Sequence, residues 1–320
     1  MTKHVVSVSG GKDSTATLLI ALDRCPPGSV VPIFCDTGNE HQAVHDYLAY
    51  LEQALDIQIH RLKADFTEQV MAKRRFIARD VRIGRDDKGR KVRWTNKAKR
   101  RALAVMHPSG NPFLDLCMIK TRFPSSAAQF CTGELKRDPA VEFQLALVDA
   151  GYRVISWQGI RRDESINRRK KRKFERIGPR MRAFRPIIDW SAEQVFAFAK
   201  AKGIEPNPLY RAGMGRVGCM PCINCSKADL RQIAVRFPDH IERIAEWEGI
   251  VSACSKRGSS TFFPPGTDAH AAQDVREVFA ALGIRNRVEW SKTTRGGKQF
   301  DLLQVLDEPS TCSSVYGLCE

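Results

Sequence analysis

Residues 4–14 read His-Val-Val-Ser-Val-Ser-Gly-Gly-Lys-Asp-Ser, and few architectures accept such a run. The β-branched stretch Val5 to Val8 predicts a buried strand. Thr15 to Leu22 predicts a helix. Between them, Ser9-Gly10-Gly11-Lys12-Asp13-Ser14 must turn the chain within a few residues. Two glycines let backbone N–H groups crowd into a small concavity, and the helix N-terminus adds partial positive charge. Such a nest accepts an oxyanion, most often a phosphate. The G-x-x-x-x-G-K-[ST] spacing of a Walker A loop is absent. A lone Gly-Gly is an ordinary turn, but six such residues at the first strand–helix junction favour phosphate binding.

The next residues keep the same alternation. Val30 to Cys35 predicts a second strand, with Asp36-Thr37-Gly38 at its carboxyl end. Glu40 to Leu55 predicts a helix and Ile57 to Leu62 a third strand. This βαβαβ order argues for a doubly wound parallel sheet with ligands at the strand carboxyl ends, where Asp36 sits. Asp36 is equally explained as a strand-end turn residue. Residues 71–112 break the pattern, because they are basic and poor in apolar periodicity. They read as an inserted arm or lid, with a hairpin turn at Asp86-Asp87-Lys88-Gly89. Phe113 to Phe130 returns to a core. Pro139 to Ala150 predicts a helix, Tyr152 to Trp157 a strand, 161–182 a basic loop, and Ser191 to Lys202 an amphipathic helix capped by Ser191. Lys227 to Trp247 and Ala269 to Leu282 read as helices. Arg285 to Trp290 and Phe300 to Val305 read as a hairpin around Gly296-Gly297. The expected division is 1–226, a nucleotide-binding domain, and 227–320, a mainly helical region with a cysteine-containing tail.

With 320 residues, 42% of them apolar, the chain can bury a sizeable core. No run approaches the roughly 18 apolar residues of a membrane span. The N-terminus enters a strand without a signal-peptide pattern, so a cytoplasmic protein away from the membrane is expected. The net charge of +16 is localised. Residues 71–101 hold 14 Lys and Arg against 3 Asp, a net +11, and 161–182 hold 11 against 3 acids, a net +8. Concentrated positive charge steers polyanions and releases counterions from nucleic acid, so both segments are candidate nucleic-acid contacts. Trp94 is the candidate base-stacking residue. Trp157, Trp190 and Trp247 are expected in cores.

Cys219-Met220-Pro221-Cys222-Ile223-Asn224-Cys225 is the second strong signal. Cysteines two residues apart point both sulfurs the same way, and a third can join them. Cys131 is the best candidate for a fourth thiolate. Zinc and an iron–sulfur cluster are both open on spacing alone. Cys25, Cys35, Cys117 and Cys254 are isolated and expected to be inert, and His41, His45 and His60 to be surface or packing residues.

The Ser9–Ser14 loop resembles the pyrophosphate-binding loop of the ATP-pyrophosphatase (PP-loop) superfamily, whose Rossmann-like members bind an adenine nucleotide and act at its α-phosphate. Further along run Pro186-Ile187-Ile188-Asp189-Trp190, Asn207-Pro208-Leu209-Tyr210 and Gly218-Cys219-Met220-Pro221-Cys222. With Gly159-Ile160-Arg161-Arg162-Asp163-Glu164-Ser165, this order is similar to the phosphoadenosine phosphosulfate (PAPS) and adenosine phosphosulfate (APS) reductase family. The resemblance covers roughly residues 1–70 and 113–226. It implies that Ser9, Gly10, Gly11, Lys12, Asp13, Ser14, Asp36, Gly159, Arg161 and Arg162 face the nucleotide. It also implies a [4Fe–4S] cluster on Cys131, Cys219, Cys222 and Cys225, with Zn2+ as the alternative.

Three departures from the reductase pattern matter. Position 132 is Thr, so the family's Cys-Cys pair is single, and Cys225 as fourth ligand is closer to DNA-phosphorothioation enzymes. The phosphate loop is complete where sulfonucleotide reductases usually carry a degenerate one. The end reads Tyr316-Gly317-Leu318-Cys319-Glu320, not the reductases' Glu-Cys-Gly-Leu-His. Two enzymatic expectations follow. In the first, ATP with Mg2+ occupies the loop, Lys12, Asp13 and Arg161 serve cleavage, and an acceptor such as a nucleic acid is adenylated and thiolated, with a cysteine-desulfurase-like sulfur donor. In the second, Cys319 attacks the sulfur of APS or PAPS and a thioredoxin-like partner releases sulfite. Cys312 and Cys319 form either a mobile redox pair or part of a frayed tail. A non-catalytic zinc-knuckle protein that binds nucleic acid is the third expectation, and it leaves the loop unexplained.

Overall fold

The computed structural model describes residues 1–82, 84–85, 89, 93–164, 166–263 and 275–293. They form two compact units. One comprises Met1–Lys63 and Glu134–Met220, and the other Ala64–Gly133 with the described residues from Pro221 onward. The first unit opens with β1 (Thr2–Ser7), α1 (Lys12–Arg24), β2 (Val30–Asp36), α2 (Gln42–Leu55) and β3 (His60–Lys63). The second contributes α3 (Thr67–Arg79), α4 (Asn96–Val105), α5 (Pro112–Lys120) and the single turn α6 (Phe130–Thr132). The chain returns to the first unit with α7 (Asp138–Asp149), β4 (Arg153–Trp157), α8 (Ile166–Arg169), β5 (Phe174–Gly178), β6 (Met181–Phe184) and α9 (Ala192–Ala201). It then supplies the second with α10 (Lys227–Arg236), α11 (Pro238–Ala253), α12 (Val275–Leu282) and α13 (Ile284–Lys292).

The first unit is the expected α/β fold. Its sheet runs β3-β2-β1-β4-β6-β5, parallel except for β5, which pairs antiparallel with β6. Val5 pairs with Val31 and with Ser156, so β1 lies at the centre. Val5, Ile33, Val154 and Met181 bury one face of the sheet against Ala140 and the partly buried Phe143 and Leu147 of α7. Val6 points to the opposite face by strand alternation and is equally buried. A right-handed crossover places α1 and α2 on that side, because the chain moves from β1 toward β3 before reversing to β4.

Three expectations fail. The stretch 71–112 is not an unpatterned arm. Val70 and Ile77 of α3, then Trp94, then Ala98 and Ala102 of α4 are buried, although arginines and lysines separate them. Trp94 itself is 2% exposed, with Lys256 Nζ 5.9 Å from its ring centre, so it offers no face for a base. The 161–182 stretch is not a loop either, because β5 and β6 form a hairpin that extends the sheet. Arg185, also buried, fastens that hairpin by donating to Gln158 Oε1 at 2.9 Å and Glu175 Oε2 at 3.0 Å. Finally, Arg285–Trp290 lies in α13 and not in a strand, since Ile284, Val288 and Ser291 bury one helical face. The turn residues Asp86, Asp87 and Lys88, the Gly296-Gly297 turn and Phe300–Val305 lie outside the described residues. Among the described residues no helix is long and apolar enough to cross a membrane.

The second unit packs Phe113 of α5 against Trp247 of α11 at 5.7 Å and against Phe262 at 6.2 Å between ring centres. Glu248 is buried beside them. Its Oε1 accepts the Phe262 N–H at 2.7 Å and its Oε2 the Ile284 N–H at 3.0 Å. Burial pushes its carboxyl up from 4.5 to about 7, against those two donors. A carboxyl raised in the folded state stabilises fully below its unfolded value and loses that contribution as pH rises through the folded one. We therefore expect the wild-type urea midpoint to fall between about pH 4.5 and 7 relative to Glu248→Gln. The difference should be on the order of 3 kcal/mol, and coincident pH profiles of the two proteins would refute it.

Candidate functional site

A doubly wound sheet opens its ligand crevice where the strand order reverses, outside the carboxyl ends of the strands. Here β1 connects onward to β2 on one side, and β4 lies on its other side, so the reversal falls between β1 and β4. The loop leaving β1 is Ser9–Ser14. The segment leaving β4 holds Gly159 and Arg161. The fold brings these two motifs into contact.

Gly10 has φ +73°, in the left-handed region that glycine enters without strain, and a Cβ there would lie 3.1 Å from Val44 Cγ1. Gly11 then enters α1 in extended conformation, with no side chain capping the helix. Ser14 closes the loop on itself. Its Oγ accepts the Ser9 N–H at 3.0 Å and donates to the Gly11 carbonyl at 2.8 Å. Two residues not expected among the site groups brace the same loop. Asn207 Nδ2 donates to the Gly10 carbonyl at 3.1 Å, and the Tyr210 hydroxyl accepts the Lys12 N–H at 3.0 Å. Both belong to the Asn-Pro-Leu-Tyr run, whose asparagine caps its own turn by accepting the Leu209 N–H at 3.0 Å. That run was visible as a motif, and its role in holding the loop was not.

Asp13 is the electrostatic hub. Its Oδ1 accepts from Arg161 Nε at 2.6 Å, and its Oδ2 lies 3.3 Å from Lys12 Nζ. The side chains of Lys12, Asp13 and Arg161 are 7%, 14% and 6% exposed. Burial opposes the charge on Arg161, but the carboxylates of Asp13 and Asp163, the latter 2.5 Å from Nη1, hold its pKa raised. Gly159 allows this approach. A Cβ at residue 159 would lie 2.7 Å from the Asp13 carbonyl oxygen and 2.9 Å from the Ser14 nitrogen. Arg162, expected to act with Arg161, has different partners. It pairs with Asp189 and donates from Nη2 to the Lys171 carbonyl at 3.1 Å.

Asp36 ends β2, and its Oδ1 accepts the Gly38 N–H at 2.8 Å, so it braces the strand-end turn. Beside it lies a buried network. Glu40 accepts the Thr37 N–H at 3.1 Å and the Thr37 hydroxyl at 2.8 Å, and the Cys219 thiol donates to its Oε1 at 3.5 Å. The Met220 N–H donates to the Asn39 carbonyl at 2.7 Å. The start of the cysteine motif is therefore fastened to the end of β2.

Cys222 and Cys225 form a tight turn, with the Cys225 N–H on the Cys222 carbonyl at 2.9 Å and the Asn224 N–H aimed at Cys222 Sγ at 3.5 Å. An N–H directed at sulfur stabilises thiolate, so this turn fits a soft-metal ligand. Among the described residues no three His, Cys, Asp or Glu side chains gather to hold a metal ion. Cys131 lies in α6, near the buried Cys117 of the same unit. Burial raises the thiol pKa of Cys35 to about 11 and of Cys254 to about 12, and that of Cys117 well above the usual range, so these thiols are poor nucleophiles. Cys312 and Cys319 lie outside the described residues.

The sequence profile of the phosphoadenosine phosphosulfate reductase domain matches residues 3–225. The chain belongs to the phosphoadenosine phosphosulfate reductase family. An uncharacterized 37.8 kDa protein of Escherichia phage 186 is 45% identical over 327 aligned residues, covering 100% of this chain and 97% of its own length. An adenosine 5'-phosphosulfate reductase of Burkholderia cepacia is 35% identical over 79 residues, which are 24% of this chain and 30% of the reductase. A crystal structure of PAPS reductase from Candida auris in a phosphate complex aligns at a TM-score of 0.41 and 16% identity, over 69% of this chain and 83% of that one. As a member of this family, the chain joins enzymes that act on nucleotides.

The contact between Gly159 and the first turn of α1 generates a direct expectation. Gly159→Ala forces a methyl group onto backbone that cannot swing away. Overpacking of this kind costs about 1–3 kcal/mol. The loss should appear in the urea midpoint. A wild-type midpoint would show that the loop does not depend on this contact.

Proposed function

We propose that this protein is an ATP pyrophosphatase of the PAPS reductase family that activates an acceptor for sulfur transfer. The observation that carries this reading is the intact Ser9–Ser14 loop with its internal Lys12–Asp13–Arg161 chain. The backbone N–H groups at the start of α1, where that of Lys12 donates to the Tyr210 hydroxyl, and the positive end of the helix suit the β,γ-phosphates. Lys12, on the first turn of α1, neutralises charge developing on the departing pyrophosphate as the α-phosphate is attacked. Asp13 and Arg161 hold that lysine and the helix start in place. Mg2+ accompanies the triphosphate as its counterion. Asp36, at the end of β2, and Gly159, after β4, are the proposed neighbours of the adenosine end. Arg162, partly exposed and paired with Asp189, is available to exchange that partner for a phosphate.

Cys131, Cys219, Cys222 and Cys225 are the proposed ligands of a [4Fe–4S] cluster, with Zn2+ as the alternative. A bound cluster would supply sulfur or electron chemistry. The basic segments 71–101 and 161–182 support a nucleic acid as acceptor. A cysteine-desulfurase-like or thioredoxin-like protein would provide sulfur or electrons, and a cytoplasmic setting suits such partners. The second reading, a sulfonucleotide reductase in which Cys319 attacks APS or PAPS, is favoured by the similarity to the Burkholderia enzyme.

Anaerobically reconstituted protein should release pyrophosphate from ATP. Lys12→Ala should lower that rate about 100-fold, the scale of losing one charge-stabilising group. Sulfite release from APS or PAPS with a thiol reductant, abolished by Cys319→Ser, would replace this reading by the second. Iron and sulfide analysis of the same protein and of Cys222→Ser tests the ligand assignment independently. Wild-type iron content in the variant would remove Cys222 from the ligand set.

A further inference from the structure

A concentration of positive charge lies in the second unit, around α3. That helix buries Val70 and Ile77, which turns Phe76 outward, 44% exposed. Lys73 Nζ lies 5.6 Å from the centre of the Phe76 ring and the Arg82 guanidinium carbon 5.0 Å from it. Arg75 and Arg79, one turn apart, are both exposed on the same helix. Two further rings of this unit carry cations, Phe130 with Lys120 at 6.0 Å and Arg122 at 5.9 Å, and Trp94 with Lys256 at 5.9 Å. Of these three rings only Phe76 is exposed. The charges converge. The Lys73 ammonium has its pKa lowered by burial and then by the positive charges of Lys256, Arg82 and Lys120. Like charges held together repel, and an anion arriving among them removes that repulsion as well as gaining attraction. One exposed ring and the nearby Val81 among several cations are too little apolar surface for a membrane or protein docking patch.

We infer that the α3 surface binds a single-stranded nucleic acid, with a base stacked on Phe76 and the flanking phosphates held by Lys73, Lys120 and Lys256, beside Arg82, which pairs with Asp80 at 2.7 Å. The pairing of an aromatic platform with backbone-tracking cations is how single strands are held without sequence preference. A duplex keeps its base faces stacked inside and cannot use Phe76. The cations of Arg75 and Arg79 extend the electrostatic footprint along the helix. This inference deepens the proposed function and rests on it only for the acceptor being a nucleic acid.

The test is fluorescence anisotropy of labelled 20-mers of oligo-dT and oligo-rU with the full chain over a salt series, beside a blunt duplex. Single strands should bind more tightly than the duplex, and a difference between dT and rU would identify the source of the strand. Phe76→Ala should weaken single-strand binding about 5-fold or more at unchanged salt slope, the effect of losing one stacked base. Lys73→Gln should reduce the slope of log K against log salt by about 0.7, one phosphate contact on a single strand. Both substitutions are at positions where the side chain leaves the core, and circular dichroism confirms that each variant folds. Unchanged affinity in Phe76→Ala, or binding to duplex as tight as to single strands, overturns the inference. Pyrophosphate release from ATP is measured on the same preparations. ATP cleavage without oligonucleotide binding defeats only the surface assignment, and oligonucleotide binding without ATP cleavage defeats only the nucleotide reading.

Discussion

The buried ion pair between Asp13 and Arg161 holds the first unit's functional end together. Asp13 belongs to the first turn of α1 and Arg161 to the segment after β4, so the pair joins the two sides of the strand-order reversal. Charges this buried persist only when paired and hydrogen-bonded, and removing one partner leaves the other stranded at a cost of several kcal/mol. Arg161 meets that demand with Asp13, with Asp163 and with the Trp190 carbonyl at 3.5 Å. Lys12 completes the chain from the other side of Asp13. Gly159 is required for the same reason, since only a residue without a Cβ lets the two backbones approach this closely. The sheet sets the reversal, and the ion pair fixes the geometry of the loop above it.

Much of this was legible because it is local. The β1 run, the Gly-Gly turn and the largely buried α1 are adjacent in sequence, and each is specified by its own residues. The basic stretch around 71–112 was misread because its buried positions are few and are set apart by charged residues. Ala98 and Ala102 carry little hydrophobic signal among lysines and arginines, and Arg101 between them finds its partner, the Ala253 carbonyl at 3.2 Å, far away in sequence. The 161–182 stretch was misread for a different reason. An edge strand such as β5 presents charged residues to water on an open side and gains its partner only from β6. In the terminal helix, Arg-Val-Glu-Trp alternates like a strand. The burial of Ile284, Val288 and Ser291 follows the helical period instead.

The site was legible in composition and less so in connection. Ser9, Gly10, Lys12, Asp13, Gly159 and Arg161 come together. Asn207 and Tyr210, nearly two hundred residues later, hold the loop by single hydrogen bonds that no local pattern announces. Glu40 is the same kind of case. In sequence it looks like a helix-start carboxylate, and in the fold it is buried and accepts from Thr37 and from Cys219. Arg162 shows the converse. Adjacency to Arg161 suggests a shared role, yet neighbouring residues in a turn point apart, and Asp189 takes its charge.

The bond from the Lys12 N–H to the Tyr210 hydroxyl has one more consequence. At rest, one of the donors at the start of α1 is already satisfied, by a phenol. A ligand entering the nest must exchange with that phenol as well as with water. A neutral hydroxyl or a weakly basic anion gains little from the exchange, whereas a multiply charged phosphate gains a charge-assisted bond in place of a neutral one. On the proposed nucleotide reading, the loop would act as a threshold filter, favouring acceptors whose charge outbids its own tyrosine.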